Sequence, residues 1–95
     1  MDRQHYDRIQ CAFGRGHRVP KHEFIDVPAA LYPTVKGLFM KIAKLDPAGE
    51  KLRIARIWTE NGKLRVTVIG GAVGLGDIIA DAQEEAATLL GGDIR

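Results

Sequence analysis

Four residues near the amino end carry side chains that can hold a metal or attack a substrate: His5, Cys11, His17 and His22. Zinc sites take His and Cys in close pairs such as Cys-x₂-Cys or His-x₃-His, because one turn of chain then delivers two ligands to a tetrahedral ion. The gaps here are five, five and four residues, which match no such pair. A loose arm with surface histidines is expected, and no metal. Cys11 as a nucleophile with His17 or His22 as its base would need a rigid element to align the pair. The surrounding GRGHRVPKH, rich in glycine and positive charge, provides none. No catalytic residue, cofactor or small-molecule substrate is therefore assigned, and an enzyme is not expected.

The stretch GGAVGLGD, residues 70–77, raises the question of a nucleotide site. It lies between the strand-like KLRVTVI and the helical IIADAQEEAATLL, the layout that cradles phosphates in dinucleotide-binding proteins. However, Gly71, Gly74 and Gly76 run in the reverse of the Gly-x-Gly-x-x-Gly spacing, and no lysine follows Lys63. Asp77 and Asp81 would put negative charge where a phosphate should sit. The glycines are expected to let the chain turn sharply, so that the last helix folds back.

A basic set carries more weight. Arg15, Arg18 and Lys21 lie in the arm; Arg53, Arg56, Lys63 and Arg65 lie around Trp58. Arginines bind phosphates and an exposed indole stacks on an unpaired base; the same composition is also that of a protein-binding hot spot. The alternative is structural: Trp58 stacks on Arg65 as a cation–π pair and the other cations are solvated.

These side chains must be positioned by the elements of residues 29–92. Leu31, Val35, Leu38, Ile42 and Leu45 recur at spacings of four, three, four and three, one apolar stripe of a helix widened by Tyr32, Phe39 and Ala43. Lys36, Lys41 and Lys44 take its outer side. Pro33 fits the first turn, and Pro47 with Gly49 ends the helix near Asp46. In LRIARIWTENGKLRVTVI, Asn61-Gly62 separates two runs rich in β-branched residues, the pattern of a two-residue hairpin. That loop sets Glu60 opposite Lys63, Thr59 opposite Leu64, Trp58 opposite Arg65 and Ile57 opposite Val66. Arg56 then opposes Thr67, and Ala55 opposes Val68. One face carries Ala55, Ile57, Leu64, Val66 and Val68 and needs covering; Trp58, Ile54 and Ile69 are expected on the exposed one. A last helix is expected from about residue 75 or 77 to 90, with Asp77 as N-cap and Gly91-Gly92 as stop.

The fold expected is α+β: an antiparallel β-hairpin covered on one face by two helices, in the order α-β-β-α. It forms a single domain over residues 1–95, with a core at 29–92 and a mostly irregular basic arm at 1–28. Within the arm, residues 5–11 are a candidate short helix and 19–27 an extended segment broken at Pro20. Thirteen of the fourteen Lys and Arg lie in residues 1–65 with seven acids, a balance of +6; residues 66–95 carry −4. Such a dipolar chain suits an acidic partner, nucleic acid or a second copy. The single cysteine fits a reducing compartment, and no apolar run spans a bilayer or forms a signal peptide, so a cytoplasmic protein is expected.

Gly62-Lys63-Leu64-Arg65-Val66-Thr67-Val68 with the helix DIIADAQEEAA after it, and the helix at residues 32–46 before, resembles a family of small proteins of bacteria and their phages. These carry a helix, a segment like KEKFGGLRFYV and a helix like DALIDEAEERS. The likeness covers about residues 30–90 and implies this topology and a phage or mobile-element origin, not a reaction. Trp58-Thr59-Glu60-Asn61 stand where the family has Lys-Glu-Lys-Phe, and the tail lacks the family's cysteines.

The first functional expectation is thus a protein-interaction module, an inhibitor or modulator of a host machine, with Trp58, Arg56, Arg65, Arg53, Lys63, Arg15 and Arg18 as the site. Self-association as a homodimer through a free edge of the ribbon is a further expectation. The alternative is a nucleic-acid binder using the arm and the hairpin. No membrane contact is expected.

Overall fold

Asn61 and Gly62 take φ of 54° and 74°, the left-handed geometry that a two-residue hairpin loop demands at both positions. In the computed structural model, which describes residues 1–14 and 19–90, they join β2 (Arg53–Glu60) to β3 (Lys63–Ile69). The remaining elements are α1 (Arg3–Phe13), β1 (Ile25–Asp26), α2 (Tyr32–Leu45) and α3 (Leu75–Leu89), giving α1-β1-α2-β2-β3-α3 along the chain, with short 3₁₀ helices at His22–Phe24 and Ala29–Leu31. The fold is α+β, and the hairpin packs against α2 and α3 in one core.

Register follows the loop. Glu60 pairs with Lys63, Thr59 with Leu64, Trp58 with Arg65, Ile57 with Val66 and Arg56 with Thr67. Beyond Arg56 the expected pairing of Ala55 with Val68 does not occur. Ile54 opposes Val68 and Arg53 opposes Ile69, because an irregularity between Ile54 and Arg56 inserts one extra residue. A bulge of this kind flips the side-chain alternation on one strand. Ile54 is thereby turned from the exposed face, where strict alternation puts it, into the core with Ile57; both are 0% exposed.

Tyr32, the first residue of α2, is followed by Pro33 in the opening turn, where a missing N–H costs nothing. Its buried side is Thr34, Val35, Leu38, Phe39 and Ile42, and it meets Leu31, Ile54, Ile57 and Leu64 in one core. Ala82 and Ala86 are the buried positions of α3, small enough to let that helix lie close on the hairpin. Asp77 is not its N-cap. Gly74, at φ 92°, caps the helix, and Asp77 lies in the first turn, where a carboxylate still complements the helix dipole. Gly70 carries the sharper constraint: φ is 102°, and a Cβ there would run into the Lys51 carbonyl oxygen. The glycine-rich stretch is a turn that follows the second arm of an antiparallel pair.

The arm is more ordered than its composition implies. Asp2 accepts from the His5 backbone N–H at 2.9 Å and caps α1, and Tyr6 and Ile9 are buried against the core. The helix extends past the expected residues 5–11 to Arg3–Phe13. Downstream, Tyr6 Oη donates to the Pro20 carbonyl at 2.8 Å, and Ile25–Asp26 adds a short parallel strand beside Ile57 and Trp58. The sheet order is β1-β2-β3, so β2 is flanked on both sides over that stretch rather than being a free ribbon edge. Arg15, Gly16, His17, Arg18 and the Gly91-Gly92 stop lie outside the described residues.

Where α2 ends, Asp46 Oδ2 accepts from the backbone N–H groups of Lys51 at 2.9 Å and Leu52 at 2.8 Å. Asp46 is only 5% exposed. It fixes the loop that delivers Arg53 to the start of β2.

Candidate functional site

Alternation along β2 and β3 puts Arg56, Trp58 and Glu60 on the face opposite the core, beside Thr67, Arg65 and Lys63. Past the bulge, Arg53 and Ile69 continue the same face. On the other flank Asp26 sits in register with Trp58. Arg53, Arg56, Lys63, Arg65, Thr67 and Ile69 are exposed and Trp58 is half-buried. Five of the expected site residues, Trp58, Arg56, Arg65, Arg53 and Lys63, therefore share one outer sheet face; Arg15 and Arg18 lie outside the described residues.

The indole is paired differently from the expected stack on Arg65. The Arg56 Cζ lies 4.4 Å from the Trp58 ring centroid, while Arg65 Nε turns to Glu60 Oε1 at 3.8 Å. Both partners follow from the pleat: Arg56 is two residues before Trp58 on the same face, and Glu60 is diagonal to Arg65. A cation–π contact at a partly exposed site is worth about 0.5–1 kcal/mol. The other ion pairs among the described residues are Arg3–Asp7, Asp2–His5 and Lys41–Asp81. Arg53, Arg56 and Lys63 thus have no carboxylate partner among them.

At the far end of the face the charge gives way to apolar surface. Phe24 and Ile69, 43% and 48% exposed, line an open depression with Lys21 and Arg53. A second depression, along the loop at residues 48–52, meets it at Arg53 and Ile69. Phe24 was not legible as part of the site, since nothing local signals the parallel pairing of Ile25 and Asp26 that brings it to β2. Lys21 is legible from the sequence for its charge alone.

His5 and His22 make packing contacts. His5 stacks on Tyr32 at 4.3 Å, with Nδ1 3.0 Å from Asp2 Oδ1. His22 Nε2 lies 2.7 Å from the Met1 carbonyl oxygen, with its ring edge-on to Tyr6. The Asp2 carboxyl is held below the ordinary aspartate range, chiefly by the hydrogen bond from the His5 backbone N–H and further by the His5 ring. Cys11 is exposed on α1. Among the described residues no three His, Cys, Asp or Glu side chains are grouped to hold a metal ion, and no helix is long and apolar enough to cross a membrane.

No protein-family model, no curated protein and no solved structure matches this chain.

Proposed function

We propose that this protein is a non-enzymatic interaction module that binds a protein partner through the outer face of its sheet. One observation carries the reading. On a single uncovered face, a cation-dressed indole (Arg56 over Trp58) is followed along the sheet by a depression lined by exposed Ile69 and Phe24, the aromatic, arginine and apolar mixture of interface hot spots. In line with the likeness to small phage proteins, the partner would be a component of a host machine that this protein inhibits or modulates.

The cations would also suit phosphates, but two features of the face favour protein. Arg56 covers the indole that would stack on a base, and Glu60 and Asp26 stand among the cations. The test is cross-linked capture by the wild type and by Arg56→Ala and Ile69→Asp, with Glu84→Gln on α3 as control. A partner held by the wild type and the control, and lost by both face variants, supports the reading. A complex with mixed-sequence DNA or RNA whose affinity falls steeply with salt, and less steeply in Arg56→Ala, would replace it with nucleic-acid binding.

A further inference from the structure

We infer that the outer face recognises a carboxylate-bearing protein segment, gripped between Arg56 and Arg65, and that Glu60 holds the Arg65 head in the free protein. The inference rests on the reading that this face binds protein. The Arg56 guanidinium lies over the indole at 4.4 Å, so stacking already restricts its orientation while its N–H edges remain available. A guanidinium fixed in this way is a preorganised receptor for the two oxygens of a carboxylate. Arg56 pairs with Thr67, two residues along β3 from Arg65, and such diagonal neighbours start about 7–8 Å apart. Both heads can therefore converge on one carboxylate.

Glu60 competes with the ligand for Arg65. Its Oε1 sits 3.8 Å from Arg65 Nε, and the two side chains are 58% and 46% exposed. That separation is outside the range of about 2.7–3.2 Å for an N–H···O bond, so the contact is loose and an incoming acid can replace it.

The apolar end fixes the spacing in the partner. Arg65 and Ile69 lie four residues apart on β3 and face the same way, about 13 Å along the strand. With the acid held between Arg65 and Arg56, the latter level with Thr67, an extended ligand places its acid and its apolar anchor two to four positions apart, the anchor entering the depression at Ile69 and Phe24.

Trp58 is the only tryptophan of the chain, so its fluorescence reports the site directly. The probes are the pentapeptide Ac-Glu-Thr-Thr-Ser-Ile-NH₂, its counterpart with Gln for Glu, and a ten-residue thymidine oligonucleotide. The acidic peptide should bind about tenfold more tightly than the Gln peptide. Arg56→Ala should abolish that preference, and Arg56→Lys should restore it only in part, since an ammonium lacks the planar fork. Glu60→Gln should tighten the acidic peptide about two- to fivefold, the scale of an exposed ion pair. All of these positions except Trp58, which is kept, are exposed, and circular dichroism checks that the variants fold.

Equal binding of the two peptides overturns the carboxylate inference and leaves the interaction reading standing. So does a silent Trp58 with both peptides while Ile69→Asp still loses a captured protein partner. An affinity for the acidic peptide that Glu60→Gln and Arg56→Ala leave unchanged also overturns it. Salt-sensitive binding of the oligonucleotide in preference to both peptides overturns inference and reading together.

Discussion

Replacing Asp46 by alanine tests whether the entry to the site-bearing strand depends on one buried carboxylate. Asp46 Oδ2 takes two backbone N–H groups, Lys51 at 2.9 Å and Leu52 at 2.8 Å, and the residue is 5% exposed. In Asp46→Ala the Lys51 N–H, part-buried, can turn to water, but the Leu52 N–H is buried and stays unmatched. A hydrogen bond to a charged acceptor contributes about 1.5–3 kcal/mol, and an orphaned buried donor costs about 1–3 kcal/mol. Water recovers part of the first, so the expected loss is about 2–4 kcal/mol. For a chain of 95 residues the whole stability is about 5–14 kcal/mol, so the loss is a large fraction. With an unfolding entropy of about 0.2 kcal/mol/K for that length, Tm falls by roughly 10–20 °C. Urea unfolding, followed by far-UV circular dichroism and Trp58 fluorescence, measures it. Asp46→Asn keeps an oxygen acceptor without the charge and should lose about half as much. Asp26→Ala, at an exposed position, should stay within about 0.5 kcal/mol. A loss below about 1 kcal/mol for Asp46→Ala would refute the assignment of the loop's anchor to this carboxylate.

Three further outcomes follow from the fold. Ile54→Ala should cost about 2–5 kcal/mol in urea unfolding, because the bulge turns Ile54 inward; a cost near zero would mean that strict alternation holds instead. Gly70→Ala should lose more than about 2 kcal/mol, from positive φ and from collision with the Lys51 carbonyl. Gly37→Ala, in α2 with open space around a new Cβ, should gain about 0.5–1 kcal/mol; equal effects at the two glycines would contradict this. The Asp2 carboxyl is lowered in the folded state, so its support of α1 is present above the unfolded value and lost as pH falls through the folded one. Helical circular dichroism should therefore decline below about pH 4. Asp2→Asn, which keeps a capping oxygen, should lack that decline; an identical acid profile in Asp2→Asn would assign it to other carboxylates.

Where a signal is local, the sequence carried it. Asn61-Gly62 specifies both positive φ angles, and so the loop and the five register pairs next to it. Leu31, Val35, Leu38 and Ile42 repeat at helical spacing and are buried. Tyr6 and Ile9 carried a similar but shorter signal, three residues apart, which the surrounding charge obscured. The outer face was legible for the same reason: from Arg56 and Trp58 to Arg65 and Lys63, its members are placed by pleat and loop length alone.

The rest depends on contacts between distant segments. Nothing in Arg-Ile-Ala-Arg announces the bulge that sends Ile54 into the core, since burial there outweighs local alternation. Ile25-Asp26 becomes a strand only because β2 offers a free edge, and this pairing brings Phe24 to the depression that Ile69 lines from the other side of β2. Arg56 rather than Arg65 covers Trp58, while Arg65 turns to Glu60. Asp46 and Gly70 look like ordinary turn residues until the loop at residues 47–52 is seen to close on both. Turn chemistry and periodicity act over a few residues, which composition records directly. Competition among side chains for one face, and the close approach of backbones far apart in the chain, arise only once the elements are packed.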